Sequence, residues 1–246
     1  MTAEDNADKP SDRPQRGVFR TADLPSEQRN EAWNAIAGSF FDHVVPLVDK
    51  AMDGEIHSDL LGSWSTCTIR FNPHSYARRK ARSPEEGLNH YFIQLYRRGT
   101  LHGECAGHGV YVRPGDILIL DVREALTLRA SAGEIVTLII PHAAIERLPD
   151  GLHGMVLRHE DVSTRQLAFR FESLQAQVAD MSPEEIEASQ SAIREALITA
   201  IDHTLKQADL PAQQVACGKT SEEIADDTAS LRAVQDILLD WSGRDD

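Results

Sequence analysis

The sequence predicts an α+β fold in which a β-barrel or sandwich follows one amino-terminal helix and precedes an antiparallel helical pair. Two observations carry this. Short apolar segments rich in β-branched and aromatic residues recur between residues 44 and 157, and the apolar rhythm then lengthens from two residues to about three and a half after Val162. Turn residues fall between the short segments without room for helices, which excludes a parallel α/β sheet.

The first stretch, residues 1–26, is polar and charged with three prolines, and its composition predicts a disordered tail. Trp33, Ile36 and Phe40 then share one side of a helix that begins near Ser26 or Glu27. Strands are expected at 64–71, 76–82, 90–97, 110–113, 117–121, 126–129, 135–140 and 155–158. Asn72-Pro73, Ser83-Pro84, Arg98-Gly99, Pro114-Gly115-Asp116 and Ala132-Gly133 supply the turns.

In the helical region, Leu167, Phe171, Leu174, Val178 and Met181 form one seam. Ile186, Gln190, Ile193, Leu197, Ile201 and Leu205 form a second seam with one polar member. Between them, Ser182-Pro183-Glu184-Glu185 reads as a helix start: Ser182 caps, Pro183 takes the first helical position and Glu185 returns the capping-box bond. Residues 207–230 read as a linker and 231–246 as one more amphipathic helix built on Leu231, Val234, Ile237, Leu238 and Trp241.

Composition excludes several function classes. With 25 basic against 39 acidic residues, the net charge of −14 disfavours a phosphate backbone as partner. No apolar run is long enough for a membrane span, and the amino terminus lacks the apolar stretch of a secretory signal, so a cytoplasmic protein without membrane contact is expected. Cys67, Cys105 and Cys217 lie far apart, as reduced thiols do. No nucleophile elbow, phosphate loop or Cys–His arrangement is present, so no catalytic residue and no cofactor is assigned.

Several patterns in order are similar to a known family. They are Glu31-Ala32-Trp33, Pro46-Leu47, Leu60-Leu61-Gly62, Arg78-Arg79, Tyr91-Phe92-Ile93-Gln94-Leu95 before Gly99, Val112-Arg113-Pro114-Gly115-Asp116, and Leu138-Ile139-Ile140-Pro141 before the helical pair. Over residues 29–205 the chain resembles the effector-binding and dimerisation half of AraC/XylS-type transcriptional regulators, a cupin-like jelly roll. The resemblance implies a barrel at 27–161 that takes a small organic effector and a helical pair at 162–206 that makes a homodimer. Arg78, Arg79, Tyr91 and Ile93 are the ligand-binding candidates, the arginines because a guanidinium pairs with a carboxylate in a fork. Leu174, Val178, Ile193 and Leu197 are the dimerisation candidates. Residues 231–246 resemble only the first helix of that family's DNA-binding half, so direct DNA binding by these 246 residues is not expected.

Two alternatives stand beside this reading. Metal-dependent cupin enzymes converge two His and a Glu with a later His, whereas aligning Gly99 with that motif's closing glycine puts Phe92 at the Glu position and Leu88 and Glu86 at the histidines. A rival set, His102, Glu104 and His108 with the later His142, could still bind metal, although exposed strand and turn residues beside Gly103, Gly107 and Gly109 account for the first three more simply. The other alternative is an interaction protein that forms mixed dimers with a full-length regulator. The helical seams also have a simpler reading, in which both pack against the barrel of their own chain.

Overall fold

The computed structural model describes residues 15–47, 50–80, 89–145 and 148–207. The predicted linker, the final helix, Ala81 and Arg82 of the expected strand 76–82, and Glu86 and Leu88 all lie outside the described residues, as do residues 1–14 of the tail.

The described residues form twelve strands: β1 Gln15–Arg20, β2 His43–Pro46, β3 Gly54–Leu61, β4 Trp64–Phe71, β5 His74–Arg78 and β6 His90–Arg98, followed by β7 Leu101–Cys105, β8 His108–Val112, β9 Ile117–Asp121, β10 Leu126–Ala130, β11 Gly133–Pro141 and β12 Met155–Leu157. They form two antiparallel sheets, one ordered β1-β3-β4-β11-β6-β9-β12 and the other β2-β5-β10-β7-β8, stacked as a cupin-like jelly roll. Helix α1 spans Arg29–Ala37, α2 Val162–Gln177 and α3 Pro183–Gln207. None of the described helices is long and apolar enough to cross a membrane.

Two expectations about the amino-terminal region need correction. Residues 15–26 are not a tail: β1 pairs along β3, and Arg16 and Arg20 reach Asp59 Oδ1 at 2.9 Å and Glu55 Oε1 at 2.7 Å. A charged edge strand is what a sheet edge requires, which is why its composition resembles disorder. The helix also starts later, at Arg29, and ends before Phe40, although Trp33 and Ile36 are buried as expected. Trp33 lies directly over β3, where a Cβ on Gly54 would sit 2.2 Å from its ring. Asn34 brackets Val44 of β2 with two bonds of 3.1 Å, to its carbonyl and from its N–H, so α1 is pinned across one end of the sandwich.

The apolar residues form two layers. Phe92, Tyr96, Leu118, Leu120, Ile135 and Ile139 of the larger sheet meet Tyr76, Leu101, Val112, Leu126 and Leu128 of the smaller one between the sheets. On its other face, Ile93, Leu95, Ile117, Ile119, Val136, Leu138 and Ile140 meet Leu167, Phe171, Leu174, Val178, Ile193, Leu197 and Ile201 of the helical layer. Each such side chain contributes about 2 kcal/mol on burial. The polar seam member Gln190 donates to the Leu61 carbonyl at 2.8 Å. The capping box forms as read, with Ser182 N–H on Glu185 Oε2 at 2.7 Å and Glu185 N–H on Ser182 Oγ at 3.3 Å.

Arg97 ties the helical layer to the sheet. It donates to both oxygens of Glu172 on α2, through Nε at 2.8 Å and through Nη2, and its Nη1 donates to Glu134 Oε1 at 3.0 Å. A second tie lies at the Pro114-Gly115-Asp116 turn. There the fully buried Asp116 carboxylate accepts from the N–H groups of Arg113 and His159 at 3.1 and 3.0 Å, from Arg158 Nη1 at 2.9 Å and from His159 Nδ1 at 3.2 Å. Burial opposes ionisation here, but those donors outweigh it and hold the Asp116 pKa below the ordinary carboxylate value. Glu160 stands beside this cluster, yet with Arg113 and Arg158 already on the two carboxylates it is a closed ion-pair network rather than a cation cage.

Candidate ligand cavity

Alternation along each strand decides what faces the space between the sheets. On the larger sheet the inward residues include Ser58 of β3, Cys67 of β4, Thr137 of β11 and Gln94 of β6, and the pairing register puts them side by side in one rung: Ser58 opposite Cys67, Cys67 opposite Thr137, and Thr137 opposite Gln94. Small or polar side chains occupy positions where large apolar ones would fill the sandwich, and Ser65 adds another small one on β4. The result is a cavity of about 100 Å³. At the other end of the sandwich, Leu118, Leu120, Leu101 and Val112 are fully buried.

The walls are aromatic. Phe40 meets Phe92 edge to face with centroids 4.9 Å apart, and Phe41, half-buried, sits 4.8 Å from Tyr76 and 6.3 Å from Phe92. Phe40 and Phe41 lie on the short connection between α1 and β2, so they cover the cavity from the end that α1 closes. Arg78 fastens this cover by donating from Nη1 to the Phe40 carbonyl. Beneath it, Gln94 and Thr137 are 4% and 1% exposed, and neither Gln94 Oε1 nor Thr137 Oγ1 has a hydrogen-bond partner. Burying such atoms unpaired is costly, so they mark the floor as a place where a polar group is expected to arrive. Burial pushes the Cys67 thiol up to about 11, and it lowers the His74 pKa, so both are neutral.

The sequence-predicted site residues are not brought together. Ile93 is fully buried, but it faces α2 and α3 on the opposite side of the sheet from the cavity. Tyr91 shares that outer side and stacks on His142 at 4.0 Å, beside a rim cluster in which Asp121 holds Arg123 at 2.8 Å and His142 at 3.4 Å. The inward residues of β6 are instead Phe92, Gln94 and Tyr96. A shift of one position exchanges the faces of a strand, and the choice of Tyr91 and Ile93 has the wrong parity. Arg78 points inward at the rim, whereas Arg79 is exposed and paired with Asp42 at 3.2 Å. The dimerisation candidates Leu174, Val178, Ile193 and Leu197 are all buried within their own chain. Exposing the four would cost about 8 kcal/mol, so they form no surface for a second copy.

The rival metal set fares no better geometrically. His102, Glu104 and His108 are exposed on β7 and β8, and His142 opens the short 3-10 turn after β11, against Asp121; among the described residues these four do not converge on a point.

A family model described as the AraC-binding-like domain matches residues 32–206, most of the described chain. The chain belongs to this family. The AraC-like transcriptional activator CuxR has a similar structure, with a TM-score of 0.68 and 17% identity, covering 93% of this chain and 89% of that one. At that identity, what the AraC-binding-like domain shares with it is the fold. Weaker likenesses extend to a ligand-free form of ToxT from Vibrio cholerae, with a TM-score of 0.44, 10% identity and coverage of 69% and 70% of the two chains. An RmlC-like cupin from Shewanella frigidimarina follows at 0.28 and 10%, covering 40% of this chain and 83% of its own. No curated protein matches the sequence.

Proposed function

We propose that this AraC-binding-like domain is the ligand-sensing module of an AraC-type transcriptional regulator, with the cavity between its sheets as the effector site. The observation that carries the reading is the aromatic-walled cavity with two buried, unpartnered polar atoms on its floor. The role is binding rather than catalysis, in keeping with a Cys67 thiol held protonated against the cavity. An effector entering past Phe40 and Phe41 would disturb the Arg78 contact and, through Val44 and Asn34, the seating of α1, which gives occupancy a route to the surface.

Self-association is assigned to the outer face of the helical layer, not to its inner seams. Phe169 of α2 is 73% exposed and Val162 60%, next to a shallow groove between α2 and α3 that carries Arg165 and Arg170 on one side and Glu195 on the other. A two-fold contact there would set arginines of one copy against Glu195 of the other. The net charge of −14 supports regulation without direct DNA contact by these 246 residues.

Thermal-shift screening of the purified chain against small organic molecules tests the sensing role, with Ser65→Phe as the cavity-filled control. A stabilising compound whose effect disappears in Ser65→Phe supports it. Stabilisers that act equally on both proteins would place the effector elsewhere and overturn the assignment.

A further inference from the structure

The chemistry of the cavity specifies its ligand more narrowly than the fold does, and this inference rests on the cavity being the effector site. None of the described side chains lining it belongs to Asp, Glu, Lys or Arg. An ionised carboxylate placed there would lose its water without gaining a cation, because Arg78 sits at the rim, half-buried, with Asp42 and Asp121 among the charges it feels. The cavity is somewhat smaller than the apolar cavity of roughly 150 Å³ that accepts benzene, which limits an occupant to the scale of one ring with slight movement of Phe40 or Phe41.

The floor adds a polar specification. Gln94 Oε1 is an acceptor only, whereas Thr137 Oγ1 carries a hydroxyl that both donates and accepts. The two residues are register partners on adjacent strands with both side chains inward, so a single ligand atom pair can reach both. A carbonyl leaves Gln94 Oε1 without a donor. A carboxylate adds lone-pair repulsion against Gln94 Oε1. A hydroxyl supplies the donor that Gln94 Oε1 needs and the acceptor that the Thr137 hydroxyl can use. We propose that the cavity takes an uncharged, ring-sized alcohol or phenol, with its ring between Phe40, Phe92 and Tyr96 and its hydroxyl bridging Gln94 Oε1 and Thr137 Oγ1. This replaces the sequence-based expectation of a carboxylate held by Arg78 and Arg79.

Calorimetric titration of the full chain with phenol, toluene and benzoate at neutral pH tests it. Phenol is expected to bind about tenfold tighter than toluene, the value of one well-made buried hydrogen bond, and benzoate more weakly than either. Gln94→Met keeps the volume and removes the acceptor, so phenol should lose most of its advantage over toluene while toluene binds as before. Ser65→Phe should abolish binding of both. Benzoate binding tighter than phenol, an unchanged phenol preference in Gln94→Met, or no phenol binding at millimolar concentration would each overturn the proposed ligand class. If benzoate binds tightest and Ser65→Phe abolishes it, the cavity remains the effector site and only the class is wrong. If probe binding survives Ser65→Phe, the cavity reading itself fails.

Discussion

Removing the Asp116 carboxylate should cost the domain its polar tie between the β8–β9 turn and the segment that leads into the helical layer. The side chain is fully buried, and three of its four hydrogen bonds join the β8–β9 turn to the segment that enters α2, the fourth closing the turn on the Arg113 N–H. Arg158 and His159 are 42% and 44% exposed at their side chains and can return to water, so their bonds count for little in the difference. The N–H groups of Arg113 and His159 lose a charged acceptor, at about 1.5 kcal/mol each. Asp116→Ala is therefore expected to destabilise by about 3 kcal/mol, a fall in Tm of about 6–12 °C for a domain of this size. Arg158→Met should cost under about 1 kcal/mol. The pH dependence has a definite sign: a carboxylate whose pKa is lowered in the folded state stabilises above its unfolded pKa of about 4 and loses that contribution as pH falls through the folded value. The acid limb of Tm against pH should thus be shallower in Asp116→Ala than in the parent. Calorimetric melting from neutral pH downward measures both effects. A Tm loss under about 2 °C, or a larger loss in Arg158→Met, would refute the claim that the buried backbone bonds dominate.

Three further outcomes are expected. Ile93→Ala should destabilise by about 2–4 kcal/mol in chemical denaturation while leaving the affinity for any cavity ligand within twofold of the parent; a selective loss of ligand would return Ile93 to the site. Phe169→Glu should shift the chain towards monomer in sedimentation, with melting changed by less than about 0.5 kcal/mol, and an unaltered sedimentation profile would remove the outer helical face as the contact. Ser182→Ala should lower stability by about 1 kcal/mol through loss of the α3 cap, measured by urea titration and contradicted by an unchanged midpoint.

The strands that the sequence displays are those whose residues alternate or cluster in β-branched runs, such as Trp64–Phe71 and Ile117–Asp121. Those it hides carry charge for a structural reason. In β3, Glu55, His57 and Asp59 face outward at the sheet margin, and Glu55 and Asp59 pair with the arginines of β1, so both strands read as polar. In β7, Gly103 and the exposed His102 and Glu104 dilute the pattern. Strand β6 presents the opposite difficulty. From Tyr91 to Tyr96 nearly every residue is apolar because one face meets the small sheet and the other meets α2 and α3. A strand buried on both sides loses the alternation that would tell its faces apart.

Apolar rhythm, turn residues and the Ser182 cap are local properties of the chain, and they were enough to establish a β-barrel or sandwich followed by two helices, which the resemblance of its ordered motifs then placed beside AraC-type sensors. Which side of β6 faces the cavity, that the helical seams close on their own barrel, and that Gln94 Oε1 and Thr137 Oγ1 are left without partners on adjacent strands depended on residues far apart in sequence meeting across strands. Burial and hydrogen-bond satisfaction are properties of the assembled neighbours, so no stretch of residues read alone contains them.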